Sequence, residues 1–288
     1  MILVTGAAGK TGQAVIQALV ERGTAVLALV HKETQIQTVQ ALGVKEIVVG
    51  DMGSQPTMEQ ALQGVKAIYH ICPNVNPHEL DIGKAVINAA QSAGIERFVY
   101  HSVFHPHIET MTHHWQKMRV EEQLFTSGLA YTILQPAPYM QNMLAYWDDI
   151  MENGRYSLPY SAQIGIGCID LKDVAEAAAT VLCEPGHESA IYELCGEANL
   201  SQRGMSQLLS QQLERTIQVD YISVTTWETT ALKNGLGDYQ VKSLSNMFRY
   251  YERFGYSGNS RILACLLNRP PTSFADFAKR MIQERLSE

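Results

Sequence analysis

Ile2-Leu3-Val4-Thr5-Gly6-Ala7-Ala8-Gly9-Lys10-Thr11-Gly12-Gln13-Ala14-Val15-Ile16 is the stretch that decides the fold. A short apolar run ends in three glycines spaced three apart, and a helical pattern follows at once. Glycine at such a turn admits positive φ and lets a ligand come close to the backbone. The helix start behind it offers unpaired N–H groups and the positive end of a dipole, a setting that suits a pyrophosphate. The stretch therefore predicts strand, turn and helix around a dinucleotide. Gly6, Ala7, Ala8, Gly9, Lys10, Thr11 and Gly12 are the candidate contacts.

The pattern repeats outward from there. Residues 10–22 read as a helix with Val15, Ala18 and Leu19 on one face and Gln13, Gln17 and Glu21 on the other. Arg22-Gly23 is a helix stop. Ala25–Val30 is a continuous apolar run, as expected of a strand covered on both faces. A polar helix over 33–43, a strand over 46–51, a short helix over 57–63 and a strand over 67–72 follow. Next come a helix over 78–93, a strand over 97–102, a helix over 113–127 and a strand over 131–135. Six strands alternating with helices predict an α/β fold, a Rossmann-type doubly wound parallel sheet with right-handed crossovers. Beyond Pro136 the rhythm changes. Residues 1–135 read as an NAD(P)-binding Rossmann domain, completed by about 169–195, and 136–168 with 196–288 as a smaller, mostly helical substrate lobe. In that lobe the methionine-rich and aromatic segment 139–147 reads equally as the wall of an apolar pocket or as core.

The 288 residues carry a net charge of −7, which argues against direct nucleic-acid binding through a broad basic face. No apolar run approaches the roughly 20 residues of a membrane span, and the chain starts without a signal-like segment. Cys72, Cys168, Cys183, Cys195 and Cys265 are scattered with no C-x-x-C spacing, so reduced thiols of a cytoplasmic protein are expected.

Further candidates sit at the strand ends. The second strand ends at Val30-His31-Lys32, where an NAD site would usually place an acidic residue. His31 and Lys32 instead suit a 2′-phosphate, which favours NADP(H); a solvated strand end is the plain alternative. Asp51-Met52 ends the third strand, with Asp51 either accepting from an adenine amino group or capping the next helix. Cys72-Pro73-Asn74 ends the fourth strand and is expected to line the cofactor. Ser102 ends the fifth, and His113-His114-Trp115-Gln116-Lys117 follows a loop later. His113 reads as a general acid near neutrality or as a surface residue, and Lys117 as a site residue or a solvated lysine. His101, His105 and His107 raise the question of a metal, but no cysteine or carboxylate joins them at a ligand spacing and Pro106 interrupts them; none is assigned.

These residues resemble the NmrA-like family of atypical short-chain dehydrogenases. The resemblance rests on Val4-Thr5-Gly6-x-x-Gly9-x-x-Gly12, the basic second-strand end and Val99-Tyr100-His101-Ser102. It continues through His113-x-x-x-Lys117-x-x-Val120-Glu121, Ser127-Gly128-Leu129, Tyr131–Pro136 and Asp170-x-x-Asp173-Val174-Ala175. Typical short-chain dehydrogenases carry Ser with Tyr-x-x-x-Lys; here His113 stands at the tyrosine's place. The resemblance implies an NADPH-dependent oxidoreductase, similar to quinone reductases, with Lys117, His113 and Ser102 as catalytic candidates and Lys117 also on the nicotinamide ribose. It adds Tyr139 and Asn142 as cofactor contacts, while Gln135 departs from an arginine often found before Pro136. The implied partner is a small-molecule substrate such as a quinone. The missing tyrosine keeps open a second class, a non-catalytic NADP(H)-binding redox sensor acting through a protein partner; a homodimer is compatible with either.

Overall fold

The computed structural model describes residues 1–196 and 199–286. In chain order its elements begin with β1 (Ile2–Val4), α1 (Lys10–Glu21), β2 (Val26–Val30), α2 (Ile36–Gln40), β3 (Glu46–Val49), α3 (Gln55–Ala61) and β4 (Ala67–His70). They continue with α4 (Glu79–Ser92), β5 (Arg97–His101), α5 (Thr112–Phe125), β6 (Tyr131–Pro136), α6 (Trp147–Asn153), β7 (Arg155–Leu158), β8 (Gly165–Gly167), α7 (Leu171–Cys183) and β9 (Ala190–Leu194). The last are β10 (Asn199–Ser201), α8 (Gln202–Leu213), β11 (Gln218–Tyr221), α9 (Val224–Lys233), α10 (Asp238–Phe254), α11 (Arg261–Leu267) and α12 (Phe274–Leu286). No helix among the described residues is long and apolar enough to cross a membrane.

The chain divides into two compact units. The first comprises Met1–Glu109, His113–Pro136 and Val174–Glu193. It holds a Rossmann-type, doubly wound sheet in the order β3-β2-β1-β4-β5-β6-β9. Pairings from β3 through β6 are parallel, with Leu3 opposite Leu27 on one side and Ile68 on the other. All five residues of β2 and all four of β4 are buried, as strands covered on both faces require. The core between sheet and helices gathers Leu29, Met58, Ile68, Val86, Phe98, Val120 and Ile133. Chain order reverses between β1 and β4, and that switch point is where such a sheet opens a crevice at its carboxyl edge.

One expected element is shorter than its sequence pattern. The helix anticipated over 33–43 is a 3₁₀ turn (Glu33–Gln35) followed by only five residues of α2. The Gln35 side chain accepts from the N–H groups of His31 and Lys32 at 2.9 and 3.0 Å, so the turn closes on itself.

The second unit takes Thr110–Thr112, Ala137–Asp173 and the described residues from Leu194 on. It contains two small sheets, β7 parallel to β11 and β8 antiparallel to β10, among helices. The Asp170-x-x-Asp173 motif is a clasp here. Arg280 donates to Asp170 at 2.6 Å, as does Gln141 at 2.7 Å. Arg269, the Thr272 amide and the Thr272 hydroxyl donate to Asp173 at 2.7, 2.6 and 2.9 Å. Both carboxylates are fully buried, so each is satisfied by charge and hydrogen bonds together.

Candidate functional site

The glycine turn lies at the switch point, stitched to the end of β4. The Thr5 hydroxyl accepts from Ile71 N–H at 2.9 Å and lies 3.0 Å from His70 Nδ1, while the Thr5 amide donates to Tyr69 O. Each glycine has its own reason. Gly6 sits at φ +58°, and a Cβ there would lie 2.9 Å from the Ile71 carbonyl oxygen. A Cβ on Gly12 would lie 2.4 Å from Gly6 O and 2.8 Å from Ala7 Cα, so helix and turn touch at this point. A Cβ on Gly9 would meet only Gly6 O, at 3.3 Å, which leaves the outer side of the turn open. Gly9 is also the N-cap of α1 and supplies no side-chain cap. A helix leaves its first N–H groups without intrahelical partners, and here no capping side chain competes for them. An open turn and an uncapped helix start fit a pyrophosphate, and so an NAD(P) cofactor.

At the neighbouring strand ends, His31, Lys32 and Lys10 are exposed and Thr11 is buried. Asp51 is exposed and its Oδ1 accepts from Gly53 N–H at 2.8 Å; it closes the turn before α3 and is not its N-cap, which is Ser54. Met52 packs against the core. Pro73 and Asn74 are exposed at the end of β4.

Behind β4 and β5 lies a buried polar cluster. Lys117, from α5, donates to Glu79 Oε1 at 2.8 Å and to the His101 carbonyl at 3.3 Å. Tyr100 OH donates to the same Glu79 oxygen at 2.9 Å. Glu79 opens α4, and its face explains its burial: Glu79, Gly83, Val86 and Ala90 follow helical spacing and all are buried. On α5 the buried face runs His113, Lys117, Val120, Glu121 and Leu124. The helices meet closely where a Cβ on Gly83 would come within 2.7 Å of Val120. Gly83 is one turn beyond Glu79 and Val120 about one turn beyond Lys117, so this contact brings the two charges together.

Burial works to raise the Glu79 carboxyl, but the Lys117 charge and then the hydrogen bonds from Lys117 and Tyr100 outweigh it and hold the group below its usual range. Around the pair, burial keeps the imidazoles neutral: His70 is pushed down to about 4, His101 to about 3 and His113 to about 4. His113 is therefore not an imidazolium at neutral pH, and only its neutral N–H could donate a proton bond. Its Nδ1 and the Nε2 of His70 have no hydrogen-bond partner among the described residues. Burial pushes the Tyr100 hydroxyl well above 10 and the Cys72 thiol up as well.

Ser102 is buried and its hydroxyl donates to Glu121 Oε1. Gln135 Nε2 donates to both Glu121 oxygens, at 3.0 and 2.9 Å, and burial raises that carboxyl. Gln135 thus has a definite partner one helix away. Of the other histidines, His101 shares a hydrogen bond with Tyr69, and His105 stacks on Phe104 with the exposed His107 ring beside it. Among the described residues no three His, Cys, Asp or Glu side chains converge to hold a metal. Tyr139 and Asn142 belong to the second unit, where Tyr139 bridges Ile169 and the Asn142 amide donates to Tyr139 O. In the same segment Met140, Met143 and Trp147 are buried. Sequence reasoning singled out Lys117 and Ser102 but missed Glu79, Tyr100 and His70, which surround the first, and Glu121, which holds the second.

A doubly wound sheet with a glycine turn and an uncapped helix at its switch point defines a Rossmann-type protein of the NAD(P)-binding oxidoreductase class. Residues 1–277 match the model of the NmrA-like family, and the chain belongs to that family. It is 29% identical over 283 residues to the NAD(P)H azoreductase of Xenophilus azovorans, covering 97% of each chain. To quinone oxidoreductase 2 of Escherichia coli it is 27% identical over 278 residues, covering 96% of each. The crystal structure of the NADPH-dependent quinone oxidoreductase of Escherichia coli complexed with NADPH superposes with a TM-score of 0.86 at 27% identity, over 98% of this chain and 100% of that one.

Proposed function

We propose that the protein is a cytoplasmic NADPH-dependent reductase that delivers hydride to a quinone or a similar small electrophile. The observation that carries the reading is the pairing, in one unit, of an open glycine turn after β1 with a buried ammonium, Lys117, behind the end of β5. Two strand spacings, about 10 Å, separate those strands. The N–H groups at the start of α1 would hold the pyrophosphate, and His31 and Lys32 the 2′-phosphate. Bound NADPH would supply the hydride. Lys117 would orient a ribose hydroxyl or a substrate oxygen, with Ser102 just after β5 and His113 one turn before the lysine on α5. A quinone suits a site whose imidazoles are neutral, since it accepts electrons without the strong acid that a simple carbonyl needs. Support also comes from the named activities of the azoreductase and quinone oxidoreductase relatives.

The absence of an acidic tyrosine and the neutrality of His113 favour one rival, a redox sensor that binds NADP(H) without turnover and acts through a protein partner. The two readings part in a single assay. Purified protein mixed with NADPH and a panel of benzoquinones and naphthoquinones should consume NADPH, followed by its absorbance. Tight NADPH binding with no turnover on any acceptor would overturn the reductase reading in favour of the sensor.

A further inference from the structure

The ammonium of Lys117 has three hydrogens. One goes to Glu79 at 2.8 Å and one to the His101 carbonyl at 3.3 Å. Glu79 in turn is held from β5, by Tyr100 OH at 2.9 Å. Glu79 is 2% exposed and Lys117 9%, so neither charge is rewarded by bulk water. We propose that Glu79 is a positioning residue for Lys117: with the His101 carbonyl it fixes the ammonium and leaves its third hydrogen for a hydroxyl or carbonyl oxygen of a bound ligand.

The inference rests on the reading that Lys117 serves the ligand. It adds how that lysine is made ready. A lysine stem is flexible and its head has freely rotating donors; ordering them at the moment of binding would weaken the contact. Here the ordering is built into the fold. The close approach of α4 and α5 at Gly83 and Val120 sets the pair, Tyr100 sets the carboxylate, and the carboxylate sets the ammonium. Because the pair is neutral overall, what it offers a ligand is a directed N–H rather than a bare positive charge. Among the described residues no carboxylate pairs with the exposed Lys10 or Lys32, and these suit phosphate as charges.

The test is a double-variant cycle read in two ways, by the NADPH dissociation constant from fluorescence titration and by KM and kcat for a naphthoquinone. Glu79→Gln, Lys117→Gln and the double variant are compared with the natural protein. Each single variant is expected to impair the same quantity by about tenfold or more, and the double variant by no more than the larger single loss. If the shared quantity is the NADPH constant, the third hydrogen meets the dinucleotide; if it is KM or kcat alone, it meets the quinone oxygen. A Glu79→Gln protein that matches the natural one while Lys117→Gln is impaired would overturn the positioning role, as would a double variant whose losses multiply. A Lys117→Gln protein with every value unchanged would instead overturn the role of Lys117 in the reaction. Should Glu79→Gln not fold, Tyr100→Phe carries the test: it removes one restraint on the carboxylate, and a smaller loss in the quantity that Lys117→Gln impairs is expected. No change in that quantity would count against the proposal.

Discussion

The glycine turn and the buried cluster behind β4 and β5 occupy the same carboxyl edge but are built in opposite ways. The turn works with backbone. Its donors are the first N–H groups of a helix start that has no side-chain cap, its selectivity is the absence of side chains at three positions, and the neighbouring cations are exposed. The cluster works with side chains drawn from α4, β4, β5 and α5, all buried and satisfied mainly by one another. A backbone site can be local in sequence, whereas a side-chain site need not be. On the proposed function the turn would hold the cofactor and the cluster would decide what is done with it.

The largest difference between them should appear in acid. His70, His101 and His113 are held neutral, with folded values of about 4, 3 and 4 against an ordinary 6.5. The unfolded chain binds more protons at each, so their neutral burial is fully favourable above about pH 6.5 and is lost progressively as pH falls towards the folded values. At pH 5 each costs about 2 kcal/mol, several kcal/mol together against a total of roughly 5–15. Thermal midpoints should fall steeply from pH 6.5 to 5, and a flat profile would break the picture of a dry, neutral cluster.

The next effect separates two glycines of the turn. Gly12→Ala forces a Cβ against backbone at 2.4 Å, so it should lower stability by about 2–3 kcal/mol and abolish measurable NADPH binding. At Gly9 a Val Cβ would press on Gly6 O at 3.3 Å, far less than the clash at Gly12, but it puts a side chain where the phosphate approaches. It should leave the thermal midpoint within about 2 °C and still weaken NADPH by tenfold or more, on the order of a lost charge-assisted bond. Equal effects of the two on stability would contradict the distinct roles assigned to them.

How legible each region was follows from this contrast. The turn could be read because strand, glycines and helix are consecutive, and the alternation to Pro136 fixed the sheet order's class. The Asp170 and Asp173 motif was visible, but not its use: both carboxylates are spent on Arg280, Arg269 and Thr272 in a clasp. Glu79 went unread because an acidic residue at a helix start ordinarily serves the dipole from the surface. The signal that could have found it was periodicity, since Glu79 shares a face with Gly83, Val86 and Ala90. Likewise His113, Lys117 and Glu121 repeat every four residues along α5. That spacing marks a buried polar face, but not its partners, which come from strands tens of residues away.

A smaller effect concerns cofactor choice. Lys32 is exposed, so its contribution to a 2′-phosphate is that of a solvated charge, about two- to fivefold. Lys32→Ala should weaken NADPH by that factor, leave NADH unchanged, and lose its effect in high salt. An equal loss for both dinucleotides would remove Lys32 from the phosphate site.

The two regions are predicted to serve one reaction: NADPH lies on the open turn, and its ribose or the quinone beside it meets the fixed ammonium. A crystal structure with NADPH and a quinone bound tests this most directly. The pyrophosphate is predicted on the N–H groups at the start of α1, and Lys117 Nζ within about 3 Å of a ribose or quinone oxygen while still bonded to Glu79. Pyrophosphate on the turn with Lys117 Nζ bonded only to Glu79 and the His101 carbonyl would contradict it.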